Sequence, residues 1–246
     1  MKPIAESLVA PFPLESRTQH AASIPAIPRY LQETYWWAYL HPNAVHLFER
    51  EWLVNLILWG NFKRLRDDAL AELGAEIDGK TLQIACVYGD FTQQIATRLA
   101  ETAQLDIIDV APIQLSNLRR KLKPDARIHL HQQDASALSF SSANFDSSLL
   151  FFLLHEQPEA VRRATLAEAV RVTRTGGKIV IVDYHKPKPN NPLRYVMQGV
   201  LKTLEPFALD LWRQEISAYL PPETRFSLAK TTSFGDLYQK IVITLQ

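Results

Sequence analysis

A chain of 246 residues with 27 Lys and Arg against 26 Asp and Glu has a formal net charge of +1. A field that weak steers no polyanion, so no nucleic acid is expected as partner and a small-molecule ligand is favoured. The length suits one large α/β domain with elaborated ends better than two small ones, and the single cysteine, Cys86, closes no internal disulfide, which fits a reducing compartment.

The N-terminus carries Glu6 and Glu15 and no long apolar or Arg-rich run, so no export or transit signal is expected. Residues 1–26, with Pro3, Pro11, Pro13 and Pro25, predict a mobile or extended arm. From 27 to 73 the composition turns aromatic and helical. There Val45, Phe48, Trp52, Leu56 and Trp59 recur at steps of three and four, predicting one apolar helix face widened by Leu53, Ile57 and Leu58. Such a helical lid is either buried on several sides or borders an apolar ligand. The run Trp52 to Phe62 is too short for the ~20 residues that span a bilayer as a helix.

After Gly74 the pattern alternates, with strands expected at 81–86, 105–110, 127–131, 146–153 and 178–183 and helices at 91–101, 112–121 and 158–172. Repeated units of this kind make a mostly parallel sheet with helices on both faces, whose ligands sit beyond the carboxyl ends of the strands. Residues 191–220 insert amphipathic helices, and strands at 226–232 and 237–245 turn at Phe234-Gly235-Asp236 to close the sheet with an antiparallel hairpin. The domain therefore runs over 74–246.

The turn after the first strand, LQIACVYGD, is where a nucleotide-binding fold carries its glycines, yet it holds Gly89 alone. Asp109 ends the second strand twenty residues later, about where a ribose-binding carboxylate is expected.

Seven strands ending in a hairpin, a turn after strand one, an acid ending strand two and Asp134 after strand three together resemble the class I S-adenosylmethionine-dependent methyltransferases. The resemblance covers roughly 75–246 and implies a Rossmann-like, seven-stranded, mostly parallel sheet with an antiparallel terminal hairpin. Within it, YWWAYLHP, FEREWLVNLILWGNF, CVYGD, FFLLHE and VDYHKP are similar to the rhodoquinone biosynthesis methyltransferase-like proteins, an atypical branch. That narrower resemblance implies conversion of ubiquinone to rhodoquinone, an amino group from S-adenosylmethionine replacing a ring methoxy group in a manganese-dependent reaction. An ordinary methyltransferase of a quinone or small molecule is the rival on the same scaffold. A non-catalytic S-adenosylmethionine- or lipid-binding protein is the rival outside it.

Aligned on the usual methyltransferase turn, Ala85, Val87 and Gly89 stand where three glycines would be, and Gln83 where an acid commonly lies. A Cβ there blocks close backbone approach, so Val87 is expected to push the cofactor outward or tilt it, with Tyr88 beside it. Asp109, followed by Val110, is expected to accept from the ribose hydroxyls. Asp134 is expected to accept from the adenine amino group, with Gln133 and Ala135 lining the ring. Asp90 is expected beside the methionine end of the cofactor, or as the cap of the helix from Phe91.

A second constellation lies at the ends of strands four and five: His155 and Glu156 after SSLLFFLL, and Asp183 and His185 after KIVIV. Imidazole and carboxylate donors suit manganese or iron(II), and a metal held by these four would polarise the quinone carbonyl while His155 or His185 accepts a proton. Ubiquinone carries a long isoprenoid tail. Trp36, Trp37, Trp52, Trp59 and Trp212, with Lys63, Arg64, Lys186, Lys188 and Arg194, are accordingly expected to form an apolar lid with a basic rim, unless the aromatics simply complete the core. The expected location is cytoplasmic, peripheral at the inner face of the cytoplasmic membrane.

Overall fold

The computed structural model describes residues 25–246, so nearly all of the arm expected over 1–26 lies outside the described residues. Four helices lead in: α1 (Arg29–Thr34), α2 (Pro42–Phe48), α3 (Glu51–Ile57) and α4 (Phe62–Leu73), with a π-helical turn, Trp36–Leu40, between the first two. Pro42 opens α2 where a missing N–H leaves nothing unsatisfied. The single apolar face expected from Val45 to Trp59 does not form. The chain turns at Glu49–Arg50, so Val45 is buried while Trp52 and Leu56 are 59% and 65% exposed. Glu49 anchors this turn by reaching into the domain, where it accepts from the Gly89 N–H (3.1 Å) and Asn117 Nδ2 (2.5 Å) and pairs with Lys121.

The domain proper follows as β1 (Lys80–Ile84), α5 (Phe91–Ala96), β2 (Gln104–Asp109), α6 (Pro112–Lys121), β3 (Ile128–Gln132), β4 (Phe145–Phe151), α7 (Glu159–Val172) and β5 (Thr173–Tyr184). The inserted segment carries α8 (Leu193–Leu204) and α9 (Asp210–Arg213), and β6 (Phe226–Ser233) and β7 (Tyr238–Leu245) complete the sheet. Strand order is β3-β2-β1-β4-β5-β7-β6, parallel from β3 to β5 and antiparallel at β7 and β6. The expected seven-stranded sheet with its terminal hairpin is therefore the observed one.

Strand β5 is buried without interruption from Ile179 to Tyr184, as a central strand covered on both faces must be. One core layer joins Phe62 and Leu70 of α4, Phe91 of α5 and Leu201 of α8 to Val180 and Val182; the other joins Leu166 and Ala169 of α7 to Ile179 and Ile181. Helix α5 ends earlier than expected because Ile77 captures the next segment, donating to Arg98 O (2.7 Å) and accepting from the Ala100 N–H (2.9 Å). Those backbone groups cannot also continue a helix. The sheet reverses direction of growth at β1, with β2 on one side and β4 on the other, and so opens a crevice at their carboxyl ends. No helix among the described residues is long and apolar enough to cross a membrane.

Candidate active site at the switch point

A cavity of about 690 Å3 fills that crevice, well within the ~300–1,000 Å3 usual for small-molecule sites. Its walls are largely apolar. The lid contributes Trp37, Ala38 and Tyr39 from the π turn and Val54, Leu56 and Ile57 from α3, while α8 contributes Met197, Val200 and Leu204. In the π turn the His41 N–H donates to Trp36 O (3.0 Å), five residues back, a widening found often at functional sites. Tyr88 latches the lid to the turn after β1: its O–H donates to Ala38 O (2.8 Å) and accepts from Gln114 Nε2 (2.7 Å), and its ring stacks on Tyr39 with centroids 5.9 Å apart.

Ala85, Cys86, Val87 and Tyr88 all face this cavity. Ala85 holds φ at +75°, the left-handed region that glycine enters freely and alanine does not. Gln83 lies beneath, buried, with Nε2 donating to Ala85 O (2.9 Å) and Oε1 accepting from Thr92 Oγ1 (3.0 Å). It braces the turn and does not reach the cavity. Burial pushes the Cys86 thiol well up, so it stays protonated.

Two expectations for this turn fail. Gly89 is outside the cavity wall and backs onto α4, where an added Cβ would come within 2.9 Å of Phe62 Cζ. The retained glycine thus serves the packing of the lid's last helix, with φ at +78°. Asp90 faces Arg66, whose Nη1 donates to its two oxygens at 2.7 and 2.6 Å, and it makes no side-chain cap to α5. It is committed to an ion pair away from the cavity and is not available to a ligand's methionine end.

Asp109, Val110, Asp134 and Ala135 line the cavity, together with Gln133. Asp109 accepts from the Cys86 N–H (2.9 Å) on one oxygen and from the Ala111 N–H (2.8 Å) on the other. Burial pushes its carboxyl up to about 6, against the pull of those N–H groups. Asp134 Oδ1 accepts from the Ser136 N–H (2.8 Å) and hydroxyl (2.7 Å), which fixes the loop after β3.

Strands β4 and β5 end side by side, with Phe151 opposite Val182. A 3-10 turn, Leu154–Glu156, carries His155 and Glu156 across that end, 4% and 7% exposed. His155 Nδ1 lies 2.9 Å from Asp183 Oδ1, out of line for a hydrogen bond, and Nε2 lies 3.7 Å from Glu156 Oε1. Burial would lower the imidazole, but Asp183 overrides it and holds the group up at about 9. Burial pushes the Glu156 carboxyl up to about 8, opposed by His155. The Tyr39 hydroxyl donates to Glu156 Oε1, tying the lid to this corner.

The expected four-ligand metal set does not assemble. His155 and Glu156 face the cavity. Asp183 is fully buried and accepts from the Leu154 N–H (2.9 Å), the His155 N–H (3.3 Å) and the Tyr184 N–H (2.7 Å). His185 stands in a separate groove, with Nδ1 2.9 Å from Asp236 O and Nε2 3.0 Å from Lys230 Nζ. Residues two apart share a face only while the strand lasts, and β5 stops at Tyr184. His185 is thereby also removed as a base for chemistry in the cavity. Among the described residues no three or more His, Cys, Asp or Glu side chains are grouped to hold a metal ion, so the manganese implied by the resemblance does not fit this arrangement of side chains.

The lid prediction divides in the same way. Trp37 and Trp59 line the cavity, and Trp59 Nε1 donates to Met197 Sδ of α8 (3.2 Å), whereas Trp212 lines the second groove beside Lys186, Lys188 and Arg194. Those three basic residues form no rim at the cavity. Sequence reasoning missed Tyr39, Gln157 and Glu205. The one signal for Glu205 was its place as the acid that closes the apolar stripe Val196, Val200, Leu201 and Leu204.

A methyltransferase-domain family model matches residues 81–177. The chain is 29% identical to a demethylmenaquinone methyltransferase of Staphylococcus saprophyticus over 135 residues, 55% of this chain and 57% of that protein. It is 26% identical to a 2-phytyl-1,4-naphtoquinone methyltransferase of Nostoc over 176 residues, 70% and 76% of the two chains. The crystal structure of the N-methyltransferase NodS from Bradyrhizobium japonicum superposes with a TM-score of 0.55 at 15% identity, covering 74% of this chain and 95% of that one. Residues 81–177 thus match a methyltransferase-domain model, and the sheet is that of the class I methyltransferase fold. The family match covers the altered turn, Asp109, Asp134, His155 and Glu156; the lid and α8 lie outside it. The chain spans little more than half the length of the first of these relatives.

Proposed function

We propose that this methyltransferase domain binds S-adenosylmethionine across the switch point and acts on a lipid quinone, replacing a ring methoxy group of ubiquinone by the cofactor's amino group to give rhodoquinone. The observation that carries the reading is the turn after β1, where Ala85, at a φ that favours glycine, and Val87 both line the cavity. The cofactor is thereby held off the backbone, and a different part of it can meet the substrate. An apolar cavity under an aromatic lid suits a quinone ring, and two relatives are named for quinone substrates. In the first step the amine nitrogen bonds to the ring carbon carrying the methoxy group. The carbon–oxygen bond then breaks, and a proton from nitrogen leaves with the methoxy group as methanol, which leaves the quinone joined through nitrogen to the cofactor's α-carbon. Transfer of the α-carbon's proton and electron pair into the ring reduces the quinone to the quinol and turns that link into an imine, and water admitted after this step hydrolyses the imine to the amino-quinol and the 2-oxo acid of the cofactor.

The protein's part is to position the two reactants and exclude water, and Glu156 and His155 are the groups placed to handle the proton. The exposed apolar side chains of α3 and α8, Trp52, Leu56, Tyr195 and Val196 among them, adjoin the elements that wall the cavity, and we place this face on the inner surface of the cytoplasmic membrane, where an isoprenoid tail would leave the site. The names of the relatives favour a second reading, methyl transfer to a quinone. Purified protein given ubiquinone and S-adenosylmethionine labelled with heavy nitrogen at the amino group, with and without manganese, decides between them. A lighter, labelled amino quinone supports the proposal, and a heavier methylated product alone refutes it.

A further inference from the structure

The second groove, of about 570 Å3, takes no part in the chemistry of the cavity and has a charge pattern of its own. Lys186, Lys188, Arg194 and Arg213 line it against two acids, Glu215 and Asp236, and Leu211 and Trp212 add apolar surface. Both acids are engaged. Glu215 pairs with Lys230 of β6 (2.5 Å), and Asp236 Oδ1 accepts from Thr232 Oγ1 (2.7 Å) and lies 3.8 Å from Lys188 Nζ. Arg213 pairs with Asp210 (3.2 Å), whereas Lys186 and Arg194 meet no acid among the described residues. The surplus of positive charge in a concave site suits an anion, and a small one, since the formal charge of the whole chain is only +1.

The fold holds these cations in place. After β5 the chain is stitched to the turn between β6 and β7: the His185 N–H donates to Leu237 O (2.8 Å), the Lys188 N–H to Gly235 O (3.0 Å), and Asn191 Nδ2 to Phe234 O (3.2 Å) and Gly235 O (3.1 Å). Pro187 is buried between exposed Lys186 and Lys188, the alternation of an extended chain, so both lysines leave the same face. Pro187 and Pro189 further restrict that backbone. Arg194 stands in the first turn of α8, and an exposed apolar stripe begins at the next residue with Tyr195, Val196, Val200 and Leu204. Val200 and Leu204 also wall the cavity. At 1.5 Å per residue, Arg194 and Val200 are roughly 9 Å apart along the axis, so one helix joins the basic groove to the cavity wall through apolar surface.

We propose that this groove seats the phosphate of an anionic phospholipid headgroup, with Lys186, Lys188 and Arg194 as its cations and the stripe of α8 laid against the acyl chains. A soluble phosphate would meet the same cations, but the apolar stripe continuous with Arg194 is surface that only a lipid would cover. The inference rests on the membrane placement of α3 and α8 made above and is independent of the reaction in the cavity. Its consequence is positional. A headgroup held at the start of α8 sets the cavity wall at Val200 and Leu204 against the surface from which a tailed substrate departs.

Sedimentation of the full chain with phosphatidylcholine vesicles, with and without phosphatidylglycerol, tests it. The wild type should prefer the anionic vesicles. Lys186→Gln combined with Arg194→Gln should weaken binding to them about five- to thirtyfold, the worth of one or two basic residues at an anionic surface, while binding to neutral vesicles and Tm stay unchanged. Arg119→Gln combined with Lys123→Gln removes equal charge at the end of α6, beside β2 and β3, and should cost less than about twofold. Equal losses in the two pairs would reduce the effect to general charge attraction and overturn the site. Tight calorimetric binding of inorganic phosphate that the first pair abolishes, without preference for anionic vesicles, would give the groove to a soluble phosphate and overturn the lipid. Wild-type binding to both vesicles alike overturns the headgroup seat and leaves the membrane face standing; binding to neither removes both.

Discussion

Ala85 and Val87 stand two residues apart in one turn, and the same substitution should act on them in opposite directions. Ala85 has φ at +75°, where a residue with a Cβ carries a cost of roughly 1–2 kcal/mol. Glycine removes that cost and adds about 0.4–1 kcal/mol of unfolded-state entropy. Ala85→Gly should therefore stabilise the fold by about 0.5–1 kcal/mol, a rise of roughly 1–4 °C in Tm for a chain of this size. Val87 is not among the positive-φ residues and packs partly buried against the core beside Cys86. Val87→Gly relieves no strain, loses apolar contact and gains the same unfolded-state entropy, so it should destabilise by about 1–2 kcal/mol. Urea unfolding of both variants at one pH measures the difference. A loss in Ala85→Gly as large as that in Val87→Gly would refute the account of the turn. The functional consequence separates them too: Val87→Gly should hold or tighten S-adenosylmethionine while amination falls, because a misplacement of ~1 Å can cost about a hundredfold in rate.

Cofactor affinity should depend on pH through Asp109. Its carboxyl sits at about 6 in the free protein and must be charged to accept fully from ribose hydroxyls, so affinity measured by calorimetry should be constant above that pH and fall below it, by about tenfold per unit. Because this folded value is raised, the carboxyl's own contribution to fold stability runs the other way, present at acid pH and lost as pH rises through about 6. Gly89→Ala should destabilise by roughly 1–3 kcal/mol in thermal unfolding, since the new methyl meets Phe62 Cζ at 2.9 Å and φ is +78°; an unchanged Tm would show that α4 yields freely. Replacing Trp52 and Leu56, 59% and 65% exposed, by serine should leave Tm nearly unchanged. It should weaken sedimentation with anionic lipid vesicles tenfold or more, and undiminished vesicle binding would move the membrane face elsewhere.

What the sequence showed was whatever local pattern decides. Runs such as LDIIDV and KIVIVDY, spaced by helical segments, marked the strands of a mostly parallel sheet and placed the crevice at their carboxyl ends; Asp109 was singled out by its spacing after Gly89, and Asp134 by the resemblance to methyltransferases. The failures lie where a distant partner overrides local pattern. The apolar spacing from Val45 to Trp59 reads as one helix because nothing in it reveals that Glu49 will bind Gly89, Asn117 and Lys121. Asp90 reads as a ligand residue until Arg66, 24 positions earlier, is folded against it. Asp183 and His185 look paired by their spacing, yet β5 ends between them and Lys230 of β6 meets the histidine. Glu205 reaches the cavity only through the packing of an inserted helix, which its place at the end of an apolar stripe does not reveal.

The corrected site has a logic of its own. On the proposed reading the cavity must orient a doubly functional cofactor, and three features bear on that choice. Side chains at Ala85 and Val87 keep the middle of the ligand off the backbone. Asp90, which might have drawn the amino-acid end toward α5, is neutralised by Arg66. Glu156 and Glu205 bring their carboxyls to the far end of the cavity, beneath the lid, where burial pushes both up and His155 opposes it. Tyr39 donates to Glu156 and its ring stacks on Tyr88, so the lid closes onto that corner. On the proposed reading, a quinone entering between α3 and α8 meets the end of the ligand that lies in this corner, and the altered turn accounts for amination on a scaffold whose sheet is that of the class I methyltransferase fold.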